Sequence, residues 1–541
     1  FVIQLTNGAN FNSITNNTID LTSAIDDTGS DNAGIVVSGS LTSATSDGDS
    51  GNVTITGNTI IGGYYGISIS GQSTGSSMDN TISDNTIQDF YYYGIYNNDV
   101  ENTTIISNDL HRENRTNVSN FYALYFTGNG GGNIINANML HDAFTGEPSA
   151  TSAAYPIYHT STDAAAGNAN IVSNNIIYNI NGAGGTNYAI YNSGSDGVHY
   201  YHNTITLDFQ GASSGTTRGF YQTTTASDIE FINNIVSITR GGSGTKYCLY
   251  FNTSGSSIIS NYNVLHMDAP AGTNHIGYSG SAQTTLSDWQ TATGGDTNSV
   301  DVDLLFAAPA TGQLEPNNPA VDNIGTPLAS VTMDINGNAR SVTAPDIGAF
   351  EFTPASCILP TGIMANNITD SSADIIWTGN NTPAATEWEI EYGPVGYTQG
   401  SAAAIATIND NDGTLGETLT GLTGSTDYDV YVRTICSSTS SSAWTGPFTF
   451  TTLCSPITAP FFDDVETHTA TATNPVEDSE CWYTIQGSYE WQISDDDTTS
   501  SGTGPNQANS GTNFFFTEGS SGLAGDVAEL YSPFLLKEVV A

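Results

Sequence analysis

NTIQDFYYYGIY, residues 85–96, couples an Asn-x-hydrophobic string to a Gly-Ile-Tyr string, and both strings return along the first half of the chain. The first appears as Asn17-Thr18-Ile19, Asn58-Thr59-Ile60, Asn85-Thr86-Ile87, Asn108-Asp109-Leu110, Asn138-Met139-Leu140, Asn175-Ile176-Ile177, Asn203-Thr204-Ile205, Asn234-Ile235-Val236 and Asn263-Val264-Leu265. From Asn58 onward its intervals are 27, 23, 30, 37, 28, 31 and 29 residues. The second follows in near-fixed phase as Gly66-Ile67, Gly94-Ile95-Tyr96, Ala123-Leu124-Tyr125, Pro156-Ile157-Tyr158, Ala189-Ile190-Tyr191, Gly219-Phe220-Tyr221 and Cys248-Leu249-Tyr250. Repeats of this period decide the architecture before local propensity does.

Each period holds short β-branched or aromatic runs separated by Gly, Ser, Asn and Asp, and no window carries a sustained helical stripe. One such unit cannot bury its apolar face. Units stacked at about 4.8 Å can, with like residue above like. The expectation is a parallel β-helix in which each turn gives three strands to three sheets. The Asn is expected at a tight bend, tolerating the left-handed conformation and bonding the Asn of the next coil through its amide. Alternation sends Ile67, Ile95, Leu124, Ile157, Ile190, Phe220 and Leu249 inward and the following Tyr outward. Insertions fall in loops, as in the long interval between Asn138 and Asn175.

The pattern resembles the right-handed parallel β-helix repeat family, which includes many polysaccharide lyases and many non-enzymatic surface proteins. The closing stretch Met333–Arg340 (MDINGNAR) and Pro345–Glu351 (PDIGAFE) is similar to the end of such repeats in secreted proteins of Bacteroidota. That resemblance covers residues 1–353. Composition shifts at Phe352-Thr353-Pro354, and seven or so short strand signals follow. There Ala373-Asp374-Ile375-Ile376-Trp377, Trp388–Gly393 and the Leu422, Thr426, Tyr428 spacing resemble a fibronectin type III module, over residues 354–453. Trp377 and Tyr428 are then core residues. Residues 454–541 resemble a MAM domain, a jelly roll of adhesion proteins. The matching residues are Phe462–Glu466, Cys481-Trp482, Glu490-Trp491 and Gly525–Pro533. That family's domain is about twice as long, so the jelly roll reads as incomplete and the parent as longer and modular. The fold class expected is all-β throughout.

Formal charge is −46, yet only 11% of residues are charged, because Lys and Arg number 8 against 54 Asp and Glu. Such a field repels phosphate backbones, which excludes nucleic acid as a partner, and it disfavours anionic membranes and anionic polysaccharides. No apolar run approaches the ~20 residues of a membrane span. The chain opens at Phe1 inside a strand-like run and reads as a mature or excised segment. Five cysteines fit an exported protein with two disulfides and a leftover thiol, Cys248.

Three sets of residues could carry function. The column Tyr96, Tyr125, Tyr158, Tyr191, Tyr221 and Tyr250 could bind ligand by stacking sugar rings. It could equally be a self-stacking ladder or lie under a loop, and Ser68 breaks it at its N-terminal end. His111 and His141 share a phase one coil apart, with Arg112, Arg115 and Asp142 nearby. Such a group could abstract a proton beside a uronate, or be a solvated surface cluster. Acidic loops at Asp47–Asp49, Asp410–Gly413 and Asp495–Asp497 could hold calcium or be plain turns. The MAM resemblance adds Asp463, Asp464, Glu466 and Asp526 as metal ligands.

The expectation is a non-catalytic, secreted, cell-surface, adhesin-like protein, with calcium as the one cofactor in view. The resemblance implies export by the Bacteroidota type IX route. Partners would be glycans or other surface proteins, including further copies in an assembly. The competing reading is a polysaccharide lyase or glycoside hydrolase acting at His111, His141, Arg112 and Asp142.

Overall fold

The computed structural model describes residues 1–24, 27–72, 79–354, 357–381, 384–437 and 440–458, with shorter pieces between 462 and 536. The chain divides into two compact units, Phe1–Pro354 and Ala355–Ala541.

The first unit is a parallel β-solenoid of about nine turns. Its first sheet has 11 strands, from Ile3–Leu5 to the antiparallel closing strand Ser281–Gln283. The second sheet runs over 9 strands from Ser13–Thr15 to Ile258–Asn261, and the third over 9 from Thr18–Asp20 to Val264–Met267. Register joins like to like: Ile95 pairs Ile67 and Leu124, and Ile105 pairs Ile82 and Ile135. Ile67, Ile95, Leu124, Ile157, Ile190, Phe220 and Leu249 are all fully buried in one continuous core. Each contributes about 1.5–3 kcal/mol relative to exposure.

The Asn residues form a single amide ladder at the corner between the second and third sheets. From Asn17 to Asn263, each Nδ2 donates to the Oδ1 of the Asn one coil on, at 2.9–3.4 Å. From Asn58 on, each Nδ2 also donates back to a second-sheet carbonyl, as Asn85 does to Ile55 at 2.9 Å. The left-handed residue is not the ladder Asn. It is the residue before it, namely Asn16, Gly57, Asp84, Ser107, Ala137, Asn174, His202, Asn233 and Tyr262, with φ between 54° and 66°. The preceding residue takes the bend, so the Asn backbone N–H can point along the stack and donate to the next Oδ1, as Asn85 N does to Asn108 at 3.1 Å.

The one α-helix among the described residues, Leu286–Thr293, closes the C-terminal end of the core. Thr285 and Asp288 form a reciprocal capping box. Trp289 is fully buried against Phe251. Its Nε1 donates to Asp296 at 2.8 Å, and Asp296 accepts from Asn263, the last ladder Asn, at 2.9 Å. Plug and ladder therefore end on one carboxylate.

Residues 300–353 then run back along the third sheet as a strap. Leu304, Val321 and Ile347 pack on Ile235 and Val264, while Leu314 and Ala349 pack on Ile176 and Tyr178. Arg340 donates to Asn174 at 2.7 Å and to Gly348 O at 2.8 Å, which fixes the strap to the solenoid. The Asp334 carboxylate accepts from Asn336, Asn338 and Glu351 backbone N–H groups, so it organises the turn. An open cleft of about 270 Å³ lies between strap and second sheet, lined by Ile134, Ile171, Asn174, Val331 and Met333 among others.

In the second unit, antiparallel sheets enclose a core of Ile375, Trp377, Trp388, Ile390, Leu419, Tyr428, Val430 and Val432. Trp377 and Tyr428 are buried, and the Tyr428 hydroxyl accepts from Thr423 N at 2.8 Å. Cys357 and Cys436 form a disulfide, and Cys454 is also disulfide-bonded. Later strands are short: Trp491–Ser494 pairs Phe514–Thr517, and Tyr483–Ile485 pairs Glu529–Tyr531. No helix of the described residues is long and apolar enough to cross a membrane.

Candidate functional site

The parallel strands of the first sheet from Tyr93–Asn98 to Thr273–Ser279 reach the surface through the same local device. Gly94 and Ile95 both lie inward, as do Ala123 and Leu124, Ala189 and Ile190, and Cys248 and Leu249. Two successive inward residues break strict alternation, so the positions flanking them both face outward. The first inward position must be small. A Cβ at Gly94 would sit 2.5 Å from Leu110 Cδ2, and one at Gly219 2.3 Å from Val236 Cγ1. The buried free thiol of Cys248 occupies this column as a small apolar group.

The result is a face two tyrosines wide. One column is Tyr96, Tyr125, Tyr158, Tyr191, Tyr221 and Tyr250 in register, extended by Tyr278. The second lies three residues upstream: Tyr93, Tyr122, Tyr155, Tyr188, then Arg218, Tyr247 and His275. Sequence reading missed this second column, although Tyr-x-x-Tyr recurs at 93, 122, 155, 188 and 247. A spacing of three signals opposite faces of an ordinary strand, and only the double inward step reverses that.

Rings within the columns cover one another. Tyr96 stacks on Tyr125 at 5.3 Å and 8°, Tyr158 on Tyr191 at 4.5 Å and 29°, and Tyr250 on Tyr278 at 4.3 Å and 5°. Tyr125–Tyr158 and Tyr221–Tyr250 meet edge to face. The face therefore offers solvent ring edges and hydroxyls more than flat ring surfaces. Arg218 fills its place with its guanidinium 4.5, 4.0 and 3.7 Å from the Tyr188, Tyr221 and Tyr250 rings. Burial first, then neighbouring phenols, push the Tyr93, Tyr122 and Tyr125 hydroxyls above their ordinary range, so these phenols stay neutral. At the N-terminal end Ser68 continues the register, buried and donating to Ala44 O at 2.6 Å. The loop carrying Ala44 packs with Tyr65, Tyr93 and Tyr96.

His111 and His141 do come together on the third sheet, stacked at 5.0 Å and 10°, with Tyr178 stacked on His141 at 4.5 Å. His141 Nδ1 faces Asp142 Oδ2, and its Nε2 bonds Asp109 at 2.8 Å. Burial opposes the charge on His141, but these two carboxylates outweigh it and raise the imidazole to about 9. Arg112 is not part of this group, contrary to the sequence expectation. Its guanidinium is buried, stacked 4.9 Å from Phe121 and Phe144, and donates to the carbonyls of Tyr91, Ser119 and Ala143. Arg115 is likewise buried, donating to Asn117 O and Asp89 O. The chain turns inward after His111, so among the described residues no guanidinium stands beside the histidines to neutralise a uronate.

Of the acidic residues, Glu466 accepts from Thr512 N and Asn513 N at 2.8 and 2.9 Å, Asp463 from Val465 N at 2.7 Å, and Asp464 from Glu466 N at 3.2 Å. The Asp463 and Asp464 oxygens organise a local turn, and Glu466 ties that turn to Thr512 and Asn513. Asp526 lies outside the described residues.

No family model matches the chain, and no curated protein matches it. Solved structures similar to a part of it include the fn3 domain of human collagen alpha-1(XX) chain, at 19% identity over 20% of this chain and 94% of that one, TM-score 0.17. The FN5 domain of Drosophila Lar is 16% identical over 18% of this chain and 96% of that one, TM-score 0.15. At such scores the likeness carries no argument about this protein.

Proposed function

We propose that this is a non-catalytic, secreted surface protein, adhesin-like, whose solenoid is a rigid platform presenting the tyrosine face to glycans or to other surface proteins. The observation that carries the reading is the partly exposed double column, mostly of tyrosines, about 29 Å long from Tyr96 to Tyr278 at ~4.8 Å per coil. A rigid aromatic surface of ring edges and hydroxyls, with one guanidinium among them, suits such partners because it pairs large contact area with hydrogen bonding at low entropic cost. The residues resembling fibronectin III (354–453) and MAM (454–541) modules would then be spacer and adhesion units, with Asp463, Asp464 and Glu466 as calcium ligands. Bacteroidota-type export through type IX secretion belongs to the same reading.

The test is a glycan array and a pull-down from cell-surface extracts with the whole chain and with a Tyr125→Ala, Tyr158→Ala, Tyr191→Ala triple variant. Binding by the first and not the second is the expected result. Equal binding by both, with the variant folded, sinks the proposal. The lyase or hydrolase reading loses support from Arg112, which does not face His141. Turnover of alginate, pectin or chondroitin that disappears in His141→Ala would restore it.

A further inference from the structure

We propose that Glu113, His141 and Asp142, with His111 packed beside them, form a binding site for a divalent transition-metal ion of the zinc class. One donor atom each from Glu113, His141 and Asp142 lies within 4.8 Å of the other two. His111 stands beside them, stacked on His141 and outside that trio. It is 93% buried by its 7% relative exposure, its Nδ1 has no hydrogen-bond partner, and that atom points to Glu113 Oε1 at 3.7 Å. A buried ring nitrogen aimed at carboxylates with nothing to bond is costly unless something else occupies the space.

The surroundings are those of a held metal ligand set. His141 Nε2 bonds Asp109 at 2.8 Å, which leaves Nδ1 facing Asp142. This is the carboxylate–histidine arrangement that orients metal-ligating imidazoles. Asp142 Oδ1 accepts from Thr145 Oγ1 at 2.7 Å and from Asn179 Nδ2 at 2.5 Å, so Oδ2 is the oxygen turned to the site. Stacking of His111, His141 and Tyr178 fixes both rings. Entry of the ion displaces the proton shared by His141 and Asp142 to solvent. Half-exposed Glu113 closes over it. One imidazole and two carboxylates with an open position suit zinc and its neighbours and not calcium, which takes six or more oxygens. A second cluster, His199, Asp228 and Glu230, lies on the second sheet, with no orphaned buried nitrogen among its members. It serves as the internal control.

The whole chain, stripped with chelator, is titrated with Zn²⁺ by calorimetry and with Co²⁺ by visible absorbance. A single equivalent is expected, with a tetrahedral cobalt spectrum that excess Ca²⁺ does not abolish. Glu113→Gln, at the exposed rim, and His111→Gln, in the buried stack that fixes His141, weaken binding at least tenfold. Asp109→Asn weakens it by about 10–100-fold through the oriented imidazole. His199→Gln leaves this equivalent intact. Thermal unfolding in chelator confirms that each variant folds. No cobalt spectrum, wild-type affinity in both Glu113→Gln and His111→Gln, or loss confined to His199→Gln overturns the site.

Discussion

At the scale of single residues, the amide ladder shows how a polar group can be buried without penalty. Asn108 is 1% exposed, yet its Oδ1 accepts from Asn85 N and Nδ2 while its Nδ2 donates to Ile82 O and Asn138 Oδ1. Asn108→Ala strands two donors on Asn85. With each worth about 1–3 kcal/mol, stability should fall by about 2–6 kcal/mol, read as a lower urea midpoint. The Asn column was legible because it repeats. Its conformation was not: the left-handed residue is Asp84, Ser107, Ala137 or Tyr262, and no common side chain marks it. Histidines give a signed pH dependence. The folded value of His141 is raised to about 9 from an ordinary ~6.5, so its stabilisation is whole below pH ~6.5 and lost as pH rises through about 9. In chelator, the stability gap between wild type and His141→Gln should close over that window. His159 runs the other way. Burial depresses it to about 3, so it destabilises the fold as pH falls from ~6.5 towards 3, and His159→Phe should flatten the acid limb.

At the scale of elements, what sequence reading found was whatever recurs coil after coil, and what it missed occurs once or depends on a neighbour. The inward Ile column and the outward Tyr96-to-Tyr250 column recur, so they were legible. The helix Leu286–Thr293 occurs once, although Thr285 and Asp288 carry its capping box. The inward burial of Arg112 depends on carbonyls of Tyr91, Ser119 and Ala143, contributed by loops whose course no local pattern specifies. Two substitutions probe these elements. Gly94→Val forces a branched side chain where even a Cβ lies 2.7 Å from Ala123 O, and should cost about 1–3 kcal/mol or more. Trp289→Ala opens the core end and should cost about 3–5 kcal/mol. Because each coil contacts only its neighbours, hydrogen exchange after Trp289→Ala should rise in Thr245–Phe251 and Thr273–Ser279 and stay unchanged in Tyr65–Ser70. Uniform loss along the solenoid would mean that the coils unfold as one unit.

At the scale of the whole molecule, the scarcity of basic residues is sharper than the count of 8 implies. Arg112, Arg115, Arg240, Arg340 and Lys246 are all buried, where they gather loop carbonyls: Lys246 takes those of Gly242 and Ala271, and Arg240 those of Ile180 and Gly182. Arg218 lies among tyrosine rings, and Arg433 is paired with Glu389. The cations thus hold irregular corners together, and the described surface is left almost wholly to carboxylates and neutral polar groups. Self-repulsion at a charge of −46 then opposes the compact state, and salt relieves it. Between ~0.01 and ~0.15 M salt the screening length falls from about 30 to about 8 Å. Tm should rise across that range, by about 2–4 °C for each kcal/mol of repulsion removed. Contacts made by the tyrosines should keep most of their affinity over the same range, since phenols carry no charge and Arg218 is a single cation among them. Scanning calorimetry and a binding titration on one salt series separate the two. A Tm that falls with salt would show that attractive ion pairs outweigh the repulsion, and ligand affinity that collapses with salt would move recognition away from the tyrosines.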